Sequence, residues 1–324
     1  MKKKFFWMFF RCIIKIEVIT MLINQVLIHV KRNPIENAKG TVIITHGIAE
    51  HSGRYEEITS KLNEALYSVV RYDIRGHGMS QGKRGALKSY HQMIDDLHEI
   101  VLEEKKTQPK KIFLIGHSMG GLIVDLYGVK YHDVDGIIAS AAPSYFIKDV
   151  LPFRFIGYKW LGFLSKKTNF ADDQLSRIKA VEDAYINDPL NLKKFHFSLA
   201  GNMFVGGVRY LNKHIQDFQT PILMIHGEND KIVPVDFSRR FYELLKIEDK
   251  TLITYPDAYH EVFNDLDREK TFTDVIHWLD ERASLWCMLL GLEQVWWGNL
   301  WHFIWQMLDI KSPVLIERIQ KLSN

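Results

Sequence analysis

Cysteine is scarce in this 324-residue chain: only Cys12 and Cys287 occur, both near the ends. The central part therefore has no disulfide framework, and no C-x-x-C or Cys/His cluster is spaced for a metal. That usage fits a reducing compartment. Excess charge is also lacking. The formal net charge is +3, too small to argue for a nucleic-acid partner. Long unbroken apolar runs are missing as well. Phe5-Phe6-Trp7-Met8-Phe9-Phe10 follows three lysines, but Arg11, Lys15 and Glu17 break the run before it is long enough to span a bilayer. No small-residue cleavage pattern follows. Residues 1–24 read as an N-terminal extension with three readings open: a membrane-surface anchor, a stretch upstream of a true start at Met21, or an atypical export signal. No internal repeat or low-complexity segment is evident. What is present is a globular composition, 47% hydrophobic and 25% charged, sufficient for a large buried core.

The most informative stretch is Lys111-Ile112-Phe113-Leu114-Ile115-Gly116-His117-Ser118-Met119-Gly120-Gly121. A short apolar strand runs into G-x-S-x-G, and residues 122–127 then have helical spacing. A sharp turn between strand and helix lifts the serine hydroxyl clear of the backbone. Glycines flank it where a Cβ would clash. Ser118 is the candidate nucleophile; the alternative is a structural glycine-rich turn. The Met119 N–H lies at the helix start, where it can face a developing oxyanion.

Around this stretch, strands alternate with helices. Residues 41–45, 68–73, 136–140, 221–226 and 251–255 read as strands, with 26–30 as an edge strand. Helices are expected up to about 66, over 89–106, from 236 and over 268–282. This alternation predicts an α/β fold with a doubly wound, mostly parallel sheet and right-handed crossovers. The pattern stops at 144–220, which is rich in aromatic residues and has no clean strand period. It reads as a helical cap inserted between core segments 25–143 and 221–283.

A serine hydroxyl needs a base, and the base needs an orienting carboxylate, in the chain order Ser, acid, His. Such groups sit at the carboxyl ends of strands. Asp230 follows the strand ending at His226, and His260 follows the strand ending at Tyr255. They are the candidate acid and base. Asp236, Asp257 and Glu228 are the rival acids, and each of these residues has a bland alternative as a turn or capping group. A second oxyanion donor is expected from the loop after residues 41–45, where the Ile48 N–H is best placed.

His46-Gly47-Ile48-Ala49-Glu50-His51-Ser52-Gly53-Arg54-Tyr55, Asp73-Ile74-Arg75-Gly76-His77-Gly78, Gly116-His117-Ser118-Met119-Gly120-Gly121, Asn187-Asp188-Pro189-Leu190 and Tyr259-His260-Glu261 together resemble the monoacylglycerol lipase / lysophospholipase family. The resemblance covers about 41–279. It implies an α/β-hydrolase fold and hydrolysis of monoacylglycerol or lysophospholipid without a cofactor or metal. It also implies that Glu50 and Arg54 shape the head-group end of the pocket. Without the family, those two residues stand at i and i+4 near a helix start and read equally as a solvated pair. Phe263 and Asn264-Asp265 depart from the family pattern.

Residues 284–324 form a tail outside the resemblance, with five tryptophans between Trp286 and Trp305. On a helix, Leu292, Trp296, Leu300, Phe303 and Ile304 share one face, opposite Gly291, Gln294, Gly298, His302 and Gln306. Peripheral membrane contact, packing on a domain and a spanning helix are the three readings. The expected location is cytoplasmic and membrane-associated. The rival functions are a peptidase or small-ester hydrolase on the same scaffold, and a membrane-binding scaffold without turnover.

Overall fold

The computed structural model describes residues 16–107, 110–147, 158–168 and 174–283. The readings placed on residues 1–15, on part of the aromatic-rich insertion and on the tail from 284 lie outside them.

The core is an eight-stranded sheet. Its strands are β1 (Glu17–Ile23), β2 (Val26–Asn33), β3 (Gly40–Thr45), β4 (Tyr67–Tyr72), β5 (Ile112–His117), β6 (Gly136–Ser140), β9 (Ile222–Gly227) and β10 (Lys250–Tyr255). The order across the sheet is β1-β2-β4-β3-β5-β6-β9-β10. Only the β1–β2 and β2–β4 pairs are antiparallel. β3, β4, β5, β6 and β9 are buried along their whole length. Helices on both faces account for that burial and for the unbroken apolar runs in these strands.

One edge differs from expectation. Residues 17–23, read from sequence as part of an extension, form the outermost strand, so β2 lies inside the sheet. Asn24 and Gln25 both adopt positive φ, 46° and 64°, as a two-residue hairpin turn requires. The turn folds β1 back so that Ile19 stands opposite Val30. In β1, half-buried and exposed side chains alternate. Its exposed positions include the apolar Val18 and Leu22, so no apolar/polar alternation marks the strand in the sequence.

The covering helices include α1 (Glu56–Glu64), α2 (His91–Thr107) and α3 (Met119–Lys130). α2 buries Met93, Ile94, Leu97, Ile100 and Val101, the stripe its spacing predicts. α3 is buried all round from Met119 to Val129. Within it the Asp125 carboxyl is buried without a hydrogen-bond partner. Burial pushes its titration well above the ordinary carboxylate range.

The insertion between β6 and β9 holds α4 (Tyr158–Leu161), β7 (Ser165–Lys167), α5 (Lys179–Asn187), β8 (Lys194–His196), α6 (Phe197–Gly201), a π-helical segment (Asn202–Gly207) and α7 (Val208–His214). Its described residues are mainly helical. The exception is an antiparallel pair of β7 with β8, in which Lys166 faces Phe195. Strands of three residues are too short to show a period. After β9 come α8 (Asp236–Leu244), β10 and α9 (Arg268–Ala283). Among the described residues no helix is long and apolar enough to cross a membrane.

Candidate active site

β5 ends at His117 and α3 begins at Met119, so Ser118 alone makes the turn. Its φ of 53° and ψ of −119° lie where L-residues are strained, at a cost of about 1–3 kcal/mol. The flanking glycines permit it. A Cβ on Gly116 would stand 2.2 Å from the Gly120 carbonyl oxygen, and one on Gly120 would stand 2.1 Å from that of Thr45. Sheet register brings the other half of the site alongside. Thr45 lies opposite Gly116, and Gly116 opposite Ala139. The loop 46–48 leaving β3 therefore runs beside Ser118. His46 locks that loop: its Nε2 accepts the Ile74 N–H, and its Nδ1 donates to the Gly47 carbonyl.

β9 and β10 are parallel neighbours, with Tyr255 opposite Gly227. The loops that follow them carry Asp230 and His260 to one place. His260 Nδ1 donates to Asp230 Oδ2 at 2.6 Å. Asp230 Oδ1 accepts the N–H groups of Ile232 and Val233 at 2.8 and 2.9 Å. Burial alone would raise the Asp230 carboxyl, but the His260 charge and hydrogen bonds from His226 and His260 bring it far below its usual range. Burial lowers His260, but the charge and hydrogen bond of Asp230, with the nearby Glu261 and Glu50 charges, together outweigh it, so His260 titrates above its ordinary 6.5. The rival acids stand elsewhere: Asp257 is exposed, while Asp236 and Glu228 both pair with Arg239.

Ser118, His260, Ile48 and Glu50 line one cavity together with His117, Leu175, Tyr185 and Glu261. Hydrogen bonds between a nucleophile and its base commonly close only when substrate is bound. Met119 is the first residue of α3, so its N–H has no acceptor within the helix. Among the described residues no group of His, Cys, Asp or Glu is arranged to hold a metal.

Glu50 and Arg54 are not a solvated pair. Glu50 is buried, and Arg54 bridges it to Glu261. Arg54 Nη1 and Nη2 donate to the two Glu261 oxygens at 2.7 and 2.9 Å. Glu50 also accepts the Gly47 N–H and the Tyr55 hydroxyl. Burial alone would raise the Glu50 carboxyl; Arg54 leads the neighbours that instead bring it down to about 2. By holding Gly47, Glu50 fixes the loop on which Ile48 stands.

Several contributors were not singled out from sequence. His226 Nε2 donates to Asp230 Oδ2 at 3.1 Å while its Nδ1 faces the Ser238 hydroxyl. Asp265 is fully buried; it accepts the Tyr259 N–H and binds Arg177 of the cap, bracing the His260 loop. Glu261 contacts Arg54 across 207 positions of sequence. Its place directly after His260 was the one available signal.

The pH dependence follows from the pair. A base must be neutral to take a proton, and His260 binds its proton more tightly than a free imidazole. Hydrolysis of a neutral soluble ester should fall as pH drops through an apparent pKa above 6.5. Asp230 stays ionised throughout that range. A pH–rate profile checks this, and a midpoint below 6.5 contradicts it.

Residues 36–267 match the family model described as serine aminopeptidase, S33. The monoacylglycerol lipase of Mycolicibacterium smegmatis is 32% identical over 76% of this chain and 90% of that protein. The human monoglyceride lipase is 27% identical over 78% of this chain and 86% of that protein. A crystal structure of Paleococcus ferrophilus monoacylglycerol lipase superposes with a TM-score of 0.71 at 31% identity, covering 79% of this chain and 99% of that one. The chain belongs to the serine aminopeptidase S33 family of hydrolases and has the α/β-hydrolase fold.

Proposed function

We propose that the chain is a serine hydrolase of single-chain lipid esters, acting on monoacylglycerol or lysophospholipid. The observation that carries this reading is the buried Asp230–His260 pair opening onto the cavity that holds the strained Ser118. Ser118 Oγ attacks the ester carbonyl while His260 Nε2 takes its proton. The Ile48 and Met119 N–H groups hold the oxyanion, and Asp230 stabilises the imidazolium. His260 then protonates the leaving alcohol. Water, deprotonated by His260, releases the fatty acid from the acyl-enzyme.

The family description names an aminopeptidase, whereas the curated relatives above are named lipases. An aminopeptidase needs a free carboxylate for the substrate's α-ammonium. Here every carboxyl oxygen of Glu50 and Glu261 already accepts a hydrogen bond. With Arg54 bound to both, neither carboxylate is held apart for a substrate ammonium, which favours the lipid-ester reading. The test is a panel of monoacylglycerols, lysophospholipids, short p-nitrophenyl esters and aminoacyl amides. Highest kcat/KM on long-chain monoesters supports the reading, and preference for aminoacyl amides overturns it.

Arg54 also holds the fold together. Arg54→Met should leave two buried carboxylates unpaired and cost about 3–5 kcal/mol of stability. Urea unfolding measures this, and a loss under about 1 kcal/mol would mean that water already screens the cluster.

We place the protein in the cytoplasm, and the sequence of the Trp-rich tail supports peripheral membrane association. Indole rings favour the head-group boundary, and the sequence around them carries little charge. Truncation after Ala283 should release the protein from liposomes and leave hydrolysis of a soluble short ester nearly unchanged. Full-length protein that fails to co-sediment with liposomes contradicts this.

A further inference from the structure

The loop after β4 borders a second cavity of about 680 Å³, against about 30 Å³ at Ser118. The two share no lining residue. The larger is bounded by the β1–β2 turn at Asn24, by the loop carrying Arg75, Lys83 and Lys88, by Gln92 at the start of α2, and by Phe163 of the cap. A volume of this size suits a small organic ligand, for which pockets commonly run to several hundred Å³.

Its lining contains no Asp or Glu. The back wall is rigid: Arg75 Nε and Nη2 both donate to the buried Asp96 carboxylate, which also accepts Asn24 Nδ2 at 3.0 Å. That ion pair is neutral overall. Lys83 and Lys88 are different: both are exposed, and neither ammonium group meets a carboxylate among the described residues. Gln92 Oε1 accepts the Lys88 and Ser89 N–H groups, which leaves its amide nitrogen as a donor. The cavity therefore offers donors and net positive charge without a competing anion. Beside them stands Phe163, 70% exposed. An exposed ring next to unpaired cations suits a ligand that is apolar at one end and negative at the other.

We infer that this second cavity binds a single-chain amphiphile with an anionic head group. Two sources share that chemistry: the fatty-acid carboxylate released by ester hydrolysis, and the phosphate of an acidic lysophospholipid. The first source rests on the function proposed above; the cavity itself does not.

The experiment titrates full-length Ser118→Ala protein with dodecanoate, dodecyl phosphate and neutral dodecanol, each below its micellar concentration, by calorimetry. Both anions should bind at least tenfold more tightly than dodecanol. Lys83→Glu/Lys88→Glu should weaken anion binding at least tenfold while dodecanol binding holds. Ala86→Trp, which fills the cavity without changing charge, should also abolish anion binding; Ala86 is part of its lining. With Ser118 restored, both variants should hydrolyse a short neutral ester at the parent rate, which also shows that they fold. The tighter of the two anions identifies the source. Equal affinity for dodecanol, or anion binding that survives Ala86→Trp, overturns the inference. If the Ser118-containing enzyme hydrolyses no ester while the anions still bind here, the functional reading fails and this site stands.

Discussion

Ser118→Ala is expected to lower kcat on a soluble acyl ester by about 10⁶-fold, the scale seen when a protease triad loses its serine. The loss is large because no other group supplies the bonding electron pair at that position. Gly116 and Gly120 pack against backbone oxygens, so a water entering in place of Oγ finds a turn shaped around one side chain. Alanine tolerates the turn no worse than serine. Among the described residues the Ser118 hydroxyl makes no hydrogen bond, so its removal should not disturb folding. Single-turnover kinetics with a thermal melt separates chemistry from stability. Activity within tenfold of the parent, with the fold intact, would remove Ser118 from the mechanism.

Asp230→Asn should cost about 10⁴-fold in kcat if the protease case transfers. The hydrogen-bond pattern here says why. Oδ1 accepts two backbone N–H groups, from Ile232 and Val233. An asparagine must place its carbonyl oxygen there, because an NH2 would face two donors. Its NH2 then falls at the Oδ2 position, aimed at His260 Nδ1 and His226 Nε2. His260 must turn Nδ1 into an acceptor, which moves its proton to Nε2, the atom that should accept from Ser118. The fold should survive with a modest loss of stability. Rate measurements across pH check the point: a rate within tenfold of the parent near neutral pH would mean that another acid orients His260.

The parts of this architecture that show in sequence are those set by local pattern. β3, β5, β6 and β9 are buried on both faces, so their apolar runs are unbroken. The turn at Ser118 needs glycine on both sides, and that spacing survives as a motif. Asp230 and His260 follow their strands directly, so chain order finds them. What does not show depends on burial or on distant partners. The i, i+4 spacing of Glu50 and Arg54 signals contact but not burial, which comes from Glu261, Tyr55 and Tyr185. His226 and Asp265 act through hydrogen bonds that only the folded loops create. β1 was hidden because its exposed face carries apolar Val18 and Leu22, which erases the alternation of an edge strand, and a basic, aromatic stretch precedes it.

The most direct test of the central claim is covalent labelling of the native, full-length protein with a fluorophosphonate, followed by peptide mapping. The reagent reacts with a serine only where a base and an oxyanion site activate it. The account predicts one adduct, on Ser118, that does not form when the protein is denatured first and forms far more slowly in Asp230→Asn. A folded protein that takes no label, or one labelled on a different serine, contradicts it.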